Sequence, residues 1–74
     1  MSFNMTKAEA NQRAAVYNAT IRWDRDYRQY RVALDEWYLL PRYLFEAQAY
    51  YTDDLEDAVL TAGAMRKEAD AKAS

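Results

Sequence analysis

From Val16 to Trp37 the apolar positions recur at Val16, Thr20, Trp23, Tyr27, Tyr30, Leu34 and Trp37, a 4-3-4-3-4-3 spacing in which only Thr20 is not a large side chain. Steps of three and four bring side chains to one side of a helix, so the pattern predicts a long amphipathic helix. Ile21, Ala33 and Tyr38 flank the stripe and widen it enough to cover more than one neighbour. Thr6-Lys7-Ala8-Glu9 supplies a start signal: the Thr6 hydroxyl can accept from the Glu9 backbone N–H while the Glu9 side chain reaches back to Thr6. A helix over about 7–40 would be roughly 50 Å long at 1.5 Å per residue. That length suits half of a hairpin or a dimer better than a small globule.

Pro41 lacks the amide hydrogen and clashes one turn back, so the helix is expected to end or kink there. Leu44, Gln48 and Tyr51 keep the same register, which fits either a kinked continuation or a separate short helix over about 41–51. Thr52 or Asp53 can then cap a last helix over about 53–70, and Asp53, Asp54, Glu56 and Asp57 suit its positive dipole end. Leu55, Val59, Ala62 and Met65 or Arg66 carry its inner face, which Gly63 weakens by about 1 kcal/mol. The expected fold is all-α and a single domain over 1–74: a long N-terminal helix, a break at Pro41, and one or two helices folding back as a helical hairpin or small bundle.

Composition supports that expectation. There is one Gly and one Pro, and Ala, Leu, Glu, Lys, Arg and Gln abound. Tyr, Trp and Val favour strands locally, but no obvious turn signals accompany them. At 74 residues the chain is small enough that extra support is expected. With no cysteine and no histidine, disulfides, thiolate zinc and imidazole ligands are all excluded, which leaves self-association, a homodimer being the simplest case.

The same absences argue against an enzyme. No Ser-His or Cys-His pair exists, and the only serines, Ser2 and Ser74, stand at the two ends. No cofactor is implied. The acids at 53–57 lack the spacing of a calcium loop and read as a helix-terminal charge cluster. No segment approaches the roughly 20 apolar residues of a membrane span, and Met1 to Glu9 does not resemble a signal peptide, so a soluble, cytoplasmic protein is expected, in the host cytoplasm if its origin is viral.

Charge divides along the chain. Residues 7–42 carry seven basic and five acidic side chains, residues 43–74 three basic and seven acidic. An antiparallel arrangement would set the two halves side by side in mutual attraction. Arg22, Arg25, Arg28 and Arg31 resemble a nucleic-acid stripe, but three-residue steps spread them around a helix, and Arg22–Asp26, Asp24–Arg28 and Arg31–Asp35 would pair at i, i+4. Nucleic acid is therefore not the favoured partner.

Ten of the eleven aromatic residues lie between Tyr17 and Tyr51, among the arginines. Tyr, Trp and Arg are enriched where protein surfaces meet, and a buried Tyr hydroxyl needs a partner. The contact candidates are Tyr17, Trp23, Tyr27, Tyr30, Arg31, Trp37, Tyr38, Arg42, Tyr43, Tyr50 and Tyr51. The expected function is non-enzymatic protein–protein interaction by a small helical inhibitor or adaptor, of the kind a phage or mobile element uses to block a host protein. The alternatives are a structural component of a larger assembly such as a virion, and a nucleic-acid-binding module.

Overall fold

The computed structural model describes residues 5–73. Helix α1 (Lys7–Ala15) begins where Thr6 adopts an extended backbone and its Oγ1 accepts from the Glu9 N–H at 3.1 Å. The Glu9 carboxylate accepts from the Thr6 hydroxyl rather than from its backbone amide. The helix stops within one turn of Ala14. Tyr17 and Asn18 donate to the Ala14 and Ala15 carbonyls, and Asn18 takes a left-handed conformation with φ 54°. Asn reaches that region at low cost, which lets it turn the chain out of the helix.

Beyond Asn18 the expectation of an all-α helical hairpin fails. Residues 19–34 form two antiparallel strands, β1 (Ala19–Asp24) and β2 (Gln29–Leu34), and not the middle of a long helix. The turn between them is built by Asp24, whose Oδ1 accepts the N–H groups of Asp26 and Tyr27, followed by Arg28 at φ 53°. Each strand alternates: Ala19, Ile21 and Trp23 share one face with Tyr30, Val32 and Leu34. The β-branched and aromatic side chains fit this pleat better than a helix, where their χ1 freedom is lost.

A 3₁₀ turn at Asp35–Leu39 leads to Leu40, which is extended as a residue before proline tends to be. Pro41 opens the short helix α2 (Arg42–Gln48), and β3 (Tyr50–Thr52) then pairs antiparallel with β2 to give the sheet order β1-β2-β3. The last helix, α3 (Leu55–Ala73), starts after Asp54, whose Oδ1 accepts from the Glu56 N–H at 2.9 Å, so neither Thr52 nor Asp53 is the cap. Thr52 instead accepts from the Asp54 N–H.

Helices α1 and α3 lie together on one face of the sheet, α1 against β1 and α3 across all three strands. They meet it through alanines: Ala10 and Ala14 from α1 and Ala58 and Ala62 from α3 pack with Ala19, Ile21, Val32 and Leu34. Small residues let the layers approach closely, but Ile21, Val32 and Leu34 are the largest side chains fully buried. Each is worth about 1.5–3 kcal/mol, so this core alone is thin.

Polar staples supplement it. The Arg66 guanidinium on α3 donates to both carboxylate oxygens of Glu36, at 2.9 and 2.6 Å, and its Nε donates to the Tyr17 carbonyl at 2.8 Å. This ties α3 to the end of α1 and to the turn after β2. The hydrogen bond from Arg66 holds the Glu36 carboxyl below the usual carboxylate range. Gly63 leaves room for the Tyr17 ring, which lies 3.2 Å from where a Cβ would sit. Among the described residues no helix is long and apolar enough to cross a membrane.

Candidate functional site

The sheet's other face carries the most distinctive chemistry. Strand alternation sends Thr20, Arg22 and Asp24 of β1, Gln29, Arg31 and Ala33 of β2, and Tyr51 of β3 away from α1 and α3. The register lines up Arg22, Arg31 and Tyr51 as one row across the three strands. Helix α2 covers one end of this face with Phe45, the one buried aromatic among the described residues. The Arg31 Cζ lies 4.9 Å from the Phe45 ring centroid, and Tyr38 packs on the same ring at 4.7 Å. At the other end Tyr27 leans from the β1–β2 turn onto Tyr51, with centroids 4.5 Å apart.

Arg31 is held in place more than it is paired. Its side chain is 24% exposed, one terminal nitrogen lies 3.7 Å from Asp24 Oδ2, and its enclosed Nε has no hydrogen-bond partner. The expected Arg31–Asp35 pair does not form, because β2 ends between them and Asp35 accepts from the Thr20 hydroxyl at 2.6 Å. The other two helical pairs are likewise replaced by strand and turn geometry. Burial pushes the Tyr51 phenol up, and the Asp24 carboxylate pushes it further in the same direction. Tyr51 therefore stays a neutral hydroxyl well into the alkaline range.

The segments that adjoin the sheet leave apolar side chains open to solvent. Leu39 is 89% and Tyr43 71% exposed, with Tyr27 and Tyr38 also in solvent. Arg42 pairs with Glu46 one turn on, at 3.1 Å. Thus six of the candidate residues fall on this side: Arg31 and Tyr51 on the outer face, Tyr27 and Tyr38 in the turns that pack on its aromatic side chains, and Arg42 and Tyr43 on helix α2.

The other five do not join them. Trp23 and Tyr30 are cross-strand partners on the helix side of the sheet, edge-to-face at 5.0 Å, with Trp23 half exposed. Trp37 and Tyr50 line an open cleft of about 520 Å³ against Met65, Ala69 and Lys72 of α3, and the Tyr50 hydroxyl donates to Asp57 at 2.7 Å. That hydrogen bond raises the Tyr50 phenol above its ordinary value. Tyr17 stands apart at the α1–α3 seam. Arg22 and Phe45, which complete this face, are not among the candidates: the strand register places Arg22 opposite Arg31, and helix α2 carries Phe45 onto the Arg31 guanidinium.

The long free edge of the sheet is not open to a partner strand along its length. Asn11 on α1 donates from Nδ2 to the Ile21 carbonyl and accepts at Oδ1 from the Ile21 N–H, both at 2.9 Å. It occupies the place of a fourth strand at that residue. Among the described residues no group of three or more His, Cys, Asp or Glu side chains is placed to hold a metal ion.

The chain is thus a two-layer α/β protein in which two helices cover one sheet face and a short third helix half covers the other. Compared with known protein families, curated proteins and solved structures, it matches none.

Proposed function

We propose that this chain is a non-enzymatic protein-binding module that docks through the outer face of its sheet and the adjoining turn and helix α2. It acts by occupying a partner's surface, as an inhibitor or adaptor does. The observation that supports the reading is where the aromatic residues lie: of those described, only Phe45 is buried. The rest are half-buried or exposed: Tyr38 packs on Phe45 beside Arg31, Tyr27 on Tyr51 in the next row position, and Leu39 and Tyr43 are exposed on the adjoining 3₁₀ turn and helix α2. Exposed Tyr and Leu side chains beside an arginine row have the composition of a contact hot spot. The absence of His and Cys leaves the same face poor in general acids and bases.

The test compares capture by surface variants. The full chain and its Leu39→Ser/Tyr43→Ser and Leu60→Ser forms are immobilised and exposed to a lysate of the source or its host. Leu60 is 69% exposed on α3, on the other side of the molecule. A protein retained by the parent chain and the Leu60 variant, and lost from the double variant, supports the reading. Retention that is indifferent to Leu39 and Tyr43 refutes it. Light scattering on the free chain reports in parallel whether a second copy is that partner.

A further inference from the structure

We infer that the Arg22–Arg31 pair is a carboxylate-binding site, and that the partner of the proposed interaction inserts an Asp or Glu side chain between these two guanidinium groups. The inference rests on the protein-binding reading and says what that partner must present.

Two like charges face each other here. Asn11 takes up both backbone groups of Ile21, so these point away from β2 and the Ile21–Val32 pair exchanges no ladder bonds. The adjacent Arg22–Arg31 pair therefore exchanges both, with Cα atoms about 5.5 Å apart and side chains on the same face. Like charges directly opposite in a sheet are destabilising, and an anion between them reverses the sign of that interaction.

Arg31 is also prepared for such a ligand. A guanidinium offers five N–H donors. In Arg31 the Nε is enclosed and out of a ligand's reach, but the Asp24 contact of a terminal nitrogen at 3.7 Å is longer than a hydrogen bond, which leaves the terminal N–H groups to meet an acceptor. Asp24 Oδ1 is committed to the turn amides. Phe45 packs on the guanidinium and holds its orientation, so little side-chain freedom remains to be lost on binding. Tyr51, next in the row, offers a neutral hydroxyl as a further donor.

The balance of charge selects the class of anion. Asp24 already offsets part of the positive charge of Arg22 and Arg31, and Glu46 and Asp26 also act on this face, so the pair has room for one further negative charge and not for two. A phosphate dianion would add excess negative charge beside Asp24. The planar fork of Arg matches a carboxylate through two parallel hydrogen bonds. Phe45 beside Arg31, and Tyr27 stacked on Tyr51 at the next position of the row, supply apolar walls near the pair.

The experiment is a titration of the full ¹⁵N-labelled chain with a capped hexaglutamate peptide, following the arginine Nε–Hε resonances at physiological ionic strength. Saturable shifts at Arg31 and Arg22 are expected, weakened about tenfold by Arg22→Gln, as loss of a charge-assisted hydrogen bond implies. Arg13→Gln on α1 is expected to bind as the parent does. Arg22 is exposed, so its replacement is expected to leave the fold intact, and it decides the matter even if Arg31→Gln proves unfolded. Non-saturable shifts, equal weakening by Arg13→Gln, or tighter binding of inorganic phosphate at the same resonances would overturn the inference. Capture of a partner that needs Leu39 and Tyr43 but tolerates Arg22→Gln removes the carboxylate site and leaves the protein-binding reading standing. Capture indifferent to all three residues removes both.

Discussion

Asn11 makes the sharpest test of how this fold is held. Its amide bonds both the N–H and the C=O of Ile21, two partly buried contacts at 2.9 Å. At about 0.5–1.5 kcal/mol each, Asn11→Ala should cost about 1–3 kcal/mol. For a chain of this size, that is a fall in Tm of roughly 4–8 °C per kcal/mol. Asn11→Asp separates the geometry from mere loss of volume. An ionised Asp keeps the acceptor for the Ile21 N–H but sets a charge against the Ile21 carbonyl, so at neutral pH it should be no better than Ala. Protonation returns an O–H donor. The folded state then favours the protonated form, which raises the folded pKa of the introduced carboxyl above its unfolded value of about 3.9. Its stabilising contribution is present below the unfolded pKa and lost as pH rises through the folded one. The stability gap between Asn11→Asp and the parent should therefore narrow on acidification. Urea unfolding followed by tryptophan fluorescence at neutral and acid pH measures that gap, and the parent serves as the reference for every other carboxylate. A cost for Asn11→Ala within about 0.5 kcal/mol, or a gap for Asn11→Asp that does not change with pH, would refute the reasoning. Asn11→Ala should also bare the β1 edge at Ile21 and give concentration-dependent self-association in light scattering.

The staples and the tyrosines lead to further expected outcomes. Arg66→Ala should lower stability by about 1.5–3 kcal/mol, the range for hydrogen bonds to charged groups, by freeing Glu36 and the Tyr17 carbonyl; chemical denaturation measures it. Because Arg66 holds the Glu36 carboxyl low, the parent should lose that contribution as pH falls through the folded pKa of Glu36, and Glu36→Gln should flatten this part of the acid limb. At the alkaline end the Tyr50 and Tyr51 phenols are both raised, Tyr50 by its bond to Asp57 and Tyr51 by burial. Their contribution is complete below the unfolded value of about 10 and lost as pH rises through the folded ones. Ultraviolet tyrosinate titration should show two late-ionising tyrosines, and Asp57→Asn should move one of them earlier.

The helical expectation for residues 16–37 fails for a specific reason. Trp23 and Tyr30 are seven positions apart, which on a helix is one stripe; across a four-residue turn they are directly opposite in the β1–β2 ladder. Both periods bring them together, so their spacing cannot discriminate. What does discriminate is the turn chemistry at Asp24 and the left-handed Asn18 and Arg28, together with alternation of Ala19, Ile21 and Trp23 against Tyr30, Val32 and Leu34. These are short polar signals inside a segment without glycine. Signals that act within one turn were legible: Thr6 accepting from the Glu9 N–H, and Pro41 ending one element before Arg42 begins the next. At the candidate site, Tyr27, Arg31, Tyr38, Arg42, Tyr43 and Tyr51 could be singled out as candidates from residue type alone, but not their arrangement. Their neighbours Arg22 and Phe45 could not, because a three-strand register and a helix crossing it bring them there.

The division of side chains between core and surface links stability to binding. Alanine faces on α1 and α3 seat the helices close to the sheet, and the large fully buried side chains are Ile21, Val32 and Leu34 alone among the described residues. Much of the chain's apolar volume stands outside, as Tyr27, Tyr38, Leu39 and Tyr43. Removing those surfaces from water at about 25 cal/mol per Å² would add to a thin core the burial it lacks. Any partner that covers the outer face and ignores the unfolded chain must then raise the apparent stability in proportion to the logarithm of its concentration over Kd. A second copy or a foreign protein meets the same physical demand. The choice between them falls to the arginine row, where Arg22 opposite Arg31 repels a like surface and attracts an acidic one.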